Sequence, residues 1–329
     1  MKSFAHVNAR TVAEAVRLLK RYKGRARLNA GGTDLLGILK DRILRDYPEA
    51  VINIKTISGL DYVREDSKGL KIGALSNLAG IAKSPGVRER YGMLAEAARA
   101  VATPQIRNMA TLGGNLCQDV RCWYYRYPDE IGGRILCLRK GSGYCLALTG
   151  DNRYHAILGG KKCFAVCPSD TAIALTALGA KVKITGSDGN KIVPLHEFFQ
   201  TLGNILRLDE MITEVRIPRP PLQAKQSFHK FTLRKPVDFA IVSVASLITA
   251  EKGICSDARI VLGAVAPTPI RAAGAEKAII GKAIDARTAS EAAEAAVTGA
   301  KPLSLNAYKV EITKTLVKQA LQGTTSLTP

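Results

Sequence analysis

Six of the seven cysteines fall between positions 117 and 167, at Cys117, Cys122, Cys137, Cys145, Cys163 and Cys167; only Cys255 stands apart. Four thiolates hold an iron–sulfur cubane or a tetrahedral zinc equally well, so the cysteines alone do not name the metal. The spacing Cys122-x14-Cys137-x7-Cys145-x17-Cys163 lacks the paired Cys-x-x-Cys knuckles of structural zinc and ferredoxin-like runs. It describes thiols drawn from four turns of one long wrapped loop. Gly132, Gly133, Gly141, Gly143, Gly150, Gly159 and Gly160 permit that wrapping. Cys117 and Cys167 adjoin the flanking scaffold and read as free buried thiols. The candidate ligands are therefore Cys122, Cys137, Cys145 and Cys163, with His155 as an alternative. Cys255, in an expected strand, reads as core packing.

Two paired-glycine turns carry the second kind of chemistry. Ala30-Gly31-Gly32-Thr33-Asp34-Leu35-Leu36 reads as strand, turn and helix. Glycines there let backbone amides approach a ligand, and Thr33 or Asp34 is placed to cap a helix start that favours phosphate. The pattern is neither a GxGxxG fingerprint nor a P-loop, and a plain capped turn explains it about as well. The second turn, Gly113-Gly114, stands beside Gln105, Arg107, Asn108, Thr111 and Asn115. A polar surface loop is the bland reading. Two such turns in one domain would instead hold an extended nucleotide from both sides.

The positioning elements follow from periodicity and turn chemistry. Residues 11–22 predict an amphipathic helix, 26–29 and 50–54 strands, 57–60 a turn into a further strand, and 70–75 a strand ending in a Ser76-Asn77 helix cap. An alanine-rich helix covers 94–101 and breaks at Thr103-Pro104; an apolar helix covers 171–178. Strands at 180–185 and 191–194, a short helix at 195–199 and a strand at 209–217 lead to the linker Pro218-Arg-Pro-Pro221. Beyond it, strands at 228–233, 239–250 and 256–265 predict a three-stranded antiparallel sheet with a turn at Lys252-Gly253. Helices at 269–280, 287–298 and 305–322 precede a frayed end over 324–329.

The chain has 329 residues, room for two or three domains. No stretch approaches the roughly 18 apolar residues of a membrane span, and no secretory signal opens it, so a cytoplasmic location with reduced thiols is expected. The balance of 48 basic to 28 acidic residues, net +20, attracts anions such as nucleotide cofactors, acyl-CoA or acidic partners. The basic residues are scattered and follow no nucleic-acid-binding pattern, which argues against specific nucleic-acid recognition.

With these residues laid out, the chain resembles the FAD-binding medium subunit of the xanthine dehydrogenase (molybdenum hydroxylase) family. The branch it resembles is that of the 4-hydroxybenzoyl-CoA reductase β subunit, which carries an extra [4Fe-4S] cluster. The carriers are Ala30-Gly-Gly-Thr-Asp-Leu35, Ile72-Gly-Ala-Leu-Ser76, Gln105-Ile-Arg-Asn108, Ala110-Thr-Leu-Gly-Gly-Asn115, Arg121-Cys-Trp-Tyr-Tyr-Arg126, Asn152-Arg-Tyr-His-Ala156 and Pro168-Ser-Asp170. The resemblance implies an α+β fold: a vanillyl-alcohol-oxidase (PCMH)-type FAD-binding domain of two subdomains, 1–57 and 58–220, with a cluster insertion at about 117–167. A domain at 225–329, a three-stranded antiparallel sheet with a three-helix bundle, completes it.

The resemblance also implies roles. Asn29, Ala30, Gly31, Gly32, Thr33, Asp34 and Leu35 would cradle the FAD pyrophosphate, with Thr111, Gly113, Gly114 and Asn115 opposite. Asp170 would hydrogen-bond ribityl or adenosine hydroxyls. Ile212 would pack on the cofactor, and Lys230 would lie near the flavin, where a cation stabilises the anionic reduced form. Val101 stands where some relatives carry an aromatic. The implied cluster ligands are Cys122, Cys137, Cys145 and Cys163, with Cys167 or His155 as alternatives to Cys163. The implied partners are a molybdopterin-containing large subunit and a small subunit with two [2Fe-2S] clusters, in a dimer of heterotrimers, with ferredoxin or NAD(P) as external carrier. The expected function is electron relay, inward for reductive dehydroxylation of 4-hydroxybenzoyl-CoA. The rivals are the same subunit in an aromatic or N-heterocycle hydroxylase, a stand-alone flavoprotein, and a zinc-dependent nucleic-acid binder.

Overall fold

The computed structural model describes residues 1–128, 131, 135–141, 143–235 and 237–322. The expected Gly132-Gly133 punctuation and the frayed end at 324–329 lie outside the described residues. Three sheets in chain order carry the architecture. The first is parallel: Ala50–Asn53 lies between Ala5–Asn8 and Ala26–Asn29. Its helix Val12–Tyr22 starts where Thr11 accepts from the Glu14 amide and Glu14 returns its carboxylate to the Arg10 amide. Ala15, Val16 and Leu19 of that helix pack on Ala26, Ala50 and Ile52.

The second sheet is antiparallel, in the order Val63–Asp66, Gly69–Gly73, Met211–Pro218, Lys181–Gly186, Gly189–Pro194. Its central strand is contributed from far along the chain, so the whole segment between Gly73 and Lys181, cysteines included, is a long excursion from one sheet. Helix Asp170–Ala177 is buried at all eight positions, because it lies between helix Gly92–Arg99 and the strands of the third sheet. That explains an apolar run without a polar face.

The third sheet has four strands where the pattern predicts three: Lys225–Phe231, Val242–Glu251, Ile254–Gly263 and a two-residue edge, Ile270–Arg271. Two residues are too few to show an alternation. The Lys252-Gly253 turn has positive φ at both positions (49° and 80°), the geometry that suits the twist of a tight hairpin. Helices Ala273–Ile279, Ala286–Ala296 and Tyr308–Gln322 pack in series beside it. Among the described residues no helix is long and apolar enough to cross a membrane.

Helix Tyr308–Gln322 also ties the cysteine-bearing segment down. Lys309 is fully buried, and its Nζ donates to the carbonyls of His155 (3.0 Å) and Ala264. Burial pushes its pKa from 10.5 down to about 7. The native chain then gives up this proton near pH 7 while the unfolded chain keeps it to about 10.5, so the contribution to stability rises with pH across that window. Across the whole window the rise amounts to at most about 5 kcal/mol, at about 1.4 kcal/mol per pH unit. Urea unfolding of wild type at pH 7, 8.5 and 9.5 is expected to show a gain that Lys309→Met lacks; parallel curves would contradict it.

Candidate functional site

The first glycine turn is built for close approach. A Cβ on Gly31 would fall 2.0 Å from the Met109 carbonyl oxygen, so only glycine lets this turn touch the segment that leads to Thr111. Gly32 has φ +71°, the left-handed region. Among the described residues, the N–H groups of Gly31, Gly32, Thr33 and Asp34 donate to no protein acceptor. The Asn29 Oδ1 next to them is buried and also without a partner. A row of unpaired amides opening a helix is an anion-binding concavity. Helix Leu35–Lys40 follows, but Asp34 makes no cap bond.

Asp34 instead faces the cysteine-bearing segment. Its carboxylate pairs with Arg121 (2.9 Å) and Arg126 (2.7 Å) and accepts from the Asp119 amide (2.8 Å). Arg126 returns bonds to the Val120 and Asp119 carbonyls, and Tyr125 binds the Asp119 carboxylate. Burial, opposed by Asp34, takes the Arg121 guanidinium down to about 10. The Asp34 carboxylate is thus occupied inside the protein, and its backbone N–H is the group left for the cradle the resemblance implies. Asp34→Ala leaves two guanidiniums facing each other, and a loss of about 2–4 kcal/mol in urea unfolding is expected. A loss within about 0.5 kcal/mol, the range of ordinary surface changes, would remove the clamp from the account.

The second glycine turn works differently from the first. Thr103 caps a helix, Pro104–Met109, where a polar loop was the alternative, and Thr111 caps the next, Leu112–Cys117. The amides of Leu112 and Gly113 donate to Ser76 and Ala74, and that of Gly114 to the Thr111 hydroxyl. Those donors are spent inside the protein. A Cβ on Gly113 would lie 3.0 Å from Ala74, so this glycine serves helix-to-strand packing. Asn115 is buried, and its Oδ1 accepts from both Ser169 and Thr171 at 2.6 Å, which leaves the amide NH2 as its outward group.

At the other end, Lys230 and Asp170 form an ion pair at 2.6 Å with both side chains over nine-tenths buried. Burial pushes the Asp170 carboxyl up and the Lys230 charge opposes it. Lys230 also holds the Ala100 carbonyl (2.8 Å), while Arg107 holds those of Val101 (2.8 Å) and Ala102 (2.6 Å). The strap carrying Val101 is thus fixed from two sides. Lys230, Arg107, Arg99, Glu96, Ala100 and Phe228 line a cleft of about 500 Å³. Ile212 is buried in the central strand next to a register shift. The sequence pattern pointed to Arg107 but gave no hint of its carbonyl partners.

Of the four expected ligand thiols, three are gathered. Cys122, Cys137 and Cys163 share one small core with Ile38, Ile43, Val120, Tyr125 and Ala165. Burial, with Cys163 and Cys137 adding, pushes the Cys122 thiol up to about 11. Cys145, half-buried ahead of the turn Leu146–Leu148, is not in that core. Among the described residues, no three cysteine, histidine or acidic side chains close around one point as a metal site. Cys167 belongs to a different core, and with Cys117 it lines a separate cavity of about 200 Å³. His155 points at the set, with Nε2 3.3 Å from the Cys122 sulfur. Cys255 is buried in strand Ile254–Gly263.

Two lobes closing on each other through a glycine turn, with a third sheet supplying a buried cation, make a PCMH-type FAD-binding fold with its C-terminal domain. The chain belongs to the FAD-binding medium subunits of the molybdenum hydroxylase (CO/xanthine dehydrogenase) family. The profile of the FAD binding domain in molybdopterin dehydrogenase matches residues 2–220, and that of the CO dehydrogenase flavoprotein C-terminal domain residues 226–324. The chain is similar to the aldehyde oxidoreductase FAD-binding subunit PaoB of Escherichia coli K12, 33% identical over 98% of each chain. Among solved structures it is similar to carbon monoxide dehydrogenase from Hydrogenophaga pseudoflava (28% identity, TM-score 0.79, 98% and 96% of the two chains). Quinoline 2-oxidoreductase from Pseudomonas putida 86 is also similar (25% identity, TM-score 0.77, 98% and 99%).

Proposed function

We propose that this chain is the FAD- and [4Fe-4S]-carrying electron-transfer subunit of a molybdenum-containing oxidoreductase. It would stand between an external carrier, ferredoxin or NAD(P), and two partners, a molybdopterin-containing large subunit and a small subunit with two [2Fe-2S] clusters. The observation that carries the flavin half is the row of unpaired amides at Gly31–Asp34 beside the partnerless Asn29 oxygen. The gathering of Cys122, Cys137 and Cys163 in one core supports the cluster half, with Cys145 as the fourth thiol. When bound, FAD takes electrons in pairs and releases them singly, and so couples a two-electron reaction to one-electron clusters. The protein's part is to seat the pyrophosphate on those amides, to hold the Val101 strap, and to keep the Lys230 charge near the flavin with Asp170 on the hydroxyls.

The aldehyde and quinoline oxidoreductases among the similar proteins favour outward electron flow, from an oxidisable substrate to the carrier. The cysteine-bearing insertion favours the second reading, inward flow for reductive dehydroxylation of 4-hydroxybenzoyl-CoA. A tagged chain purified from its own host tests both. A molybdenum-bearing large subunit is expected to come with it, and an aldehyde or N-heterocycle is expected to bleach the flavin. Turnover of 4-hydroxybenzoyl-CoA with reduced ferredoxin, and no bleaching by aldehydes, would select the inward direction. A flavoprotein that arrives without molybdenum and oxidises a substrate alone would overturn the proposal.

A further inference from the structure

A cleft of about 700 Å³ lies on the seam between the first two lobes, and none of its lining residues belongs to the amide row or to the Lys230 cleft. Helix Val12–Tyr22 forms one wall and strands Lys181–Gly186 and Met211–Pro218 the other. The volume is that of a small-molecule pocket, and seams between lobes are where such pockets recur.

Each wall presents its groups for a local reason. Val12, Val16 and Lys20 recur at every fourth helical position, so one helix face carries an apolar base and, with Arg17, a cationic edge. In the opposite wall Met211 pairs with Thr185 and Glu214 with Lys183, three residues along one strand against two along the other. Without that bulge, alternation would send Glu214 to the far side of the sheet. With it, Glu214 and Lys183 stand on the side where Met211 shares a core with Val16.

The charges in the cleft do not balance. Glu214 is the one carboxylate among the lining residues, and its two oxygens are taken by the Tyr62 hydroxyl and by Arg216. Lys183 feels the Glu214 charge without forming an ion pair with it. Among the described residues, the side chains of Arg17, Lys20 and Lys183 bond to no acceptor. Elsewhere on the same sheet Lys71, Lys191 and Arg216 each hold a carboxylate. Three unanswered cations beside the apolar Val12, Val16 and Leu60 match a ligand that carries several negative charges on an apolar or aromatic body.

We propose that this seam is a second ligand site, for an organic phosphate of nucleotide size: Arg17, Lys20 and Lys183 take the phosphates, and Val12, Val16 and Leu60 take the body.

The test titrates the full chain, with its FAD bound, with ADP and with inorganic pyrophosphate in a calorimeter. Salt at about 0.15 M, with a Debye length of about 8 Å, screens diffuse attraction to the net +20 chain. ADP is expected to bind at one site, about tenfold more tightly than pyrophosphate, and to leave the FAD in place. Arg17→Gln/Lys183→Gln, which removes one cation from each lobe, is expected to weaken ADP binding about tenfold. Lys277→Gln/Lys318→Gln, which removes the same charge from two helices of the C-terminal domain, is expected to bind as wild type does. No binding by wild type, or an equal loss in the two double variants, would overturn the proposal. Displacement of FAD by ADP would overturn it too, because ADP is half of FAD and would then occupy the flavin site. ADP no tighter than pyrophosphate would also overturn it, since the apolar base would hold nothing.

Discussion

Gly31→Ala is expected to purify with little FAD, its dissociation constant raised about a hundredfold. The methyl would sit 2.0 Å from the Met109 carbonyl, and neither partner is the flexible end of a side chain. Relief requires the turn at Gly31–Asp34 and the Met109–Thr111 segment to part, which spoils the amide row they frame. Overpacking of this kind costs roughly 1–3 kcal/mol, and about 3 kcal/mol of binding energy is two decades of affinity. Gly37→Ala is the control: a Cβ there meets nothing within 4 Å, and alanine in a helix is favoured by about 1 kcal/mol. Flavin fluorescence on dilution measures both. Equal FAD retention by the two variants would show that the close approach does not shape the site.

The second large effect is expected at Lys230. Replacement by Met strands the Asp170 carboxylate in the interior, and breaking one side of a buried pair costs about 3–5 kcal/mol. It also frees the Ala100 carbonyl and the strap beyond it. The sign with pH follows from Asp170. Burial already pushes its carboxyl up, and losing the ammonium pushes it further. Wild type and variant both hold this proton in the native state above the pH at which the unfolded chain has lost it, but the variant holds it to higher pH, so the deficit grows with pH once the wild-type carboxyl has ionised. Urea midpoints at pH 5 and 8 are expected to show the larger deficit at pH 8. The double variant Lys230→Met/Asp170→Asn is expected to regain part of the loss, because no unpaired charge remains. A pH-independent deficit, or a double variant no better than the single, would mean that Lys230 acts by packing alone.

Much of this architecture was legible before any coordinates, and for physical reasons. The amphipathic period over residues 11–22 announces the helix Val12–Tyr22. Lys252-Gly253 between two alternating runs announces a hairpin. Some short elements were not legible: Ala5–Asn8, Pro85–Arg90 and Ile270–Arg271 are too short for a period to emerge, carry no turn or cap signal that was read, and take shape from their neighbours. The site divides along a similar line. Gly31 and Gly32 were readable because a backbone that must approach or turn left-handed restricts the residue type. Gly113 belongs to the same residue type for a different reason, tight packing on Ala74, and residue type alone could not separate the two. Asp34 shows the limit most directly. Its partners, Arg121 and Arg126, stand more than eighty residues away, and only the fold brings them to its carboxylate. Lys309 and His155 are the same case, 154 residues apart and joined by the C-terminal helix.

The proposed electron relay depends on flavin and iron residing together on the one chain. The most direct measurement is the cofactor content of anaerobically purified full-length protein, by acid-released FAD, iron and labile sulfide. The expected result is one FAD with about four irons and as much sulfide per chain, and loss of the iron but not the FAD in Cys137→Ser. Protein with a full complement of FAD, no sulfide and thiols all open to alkylation would contradict it.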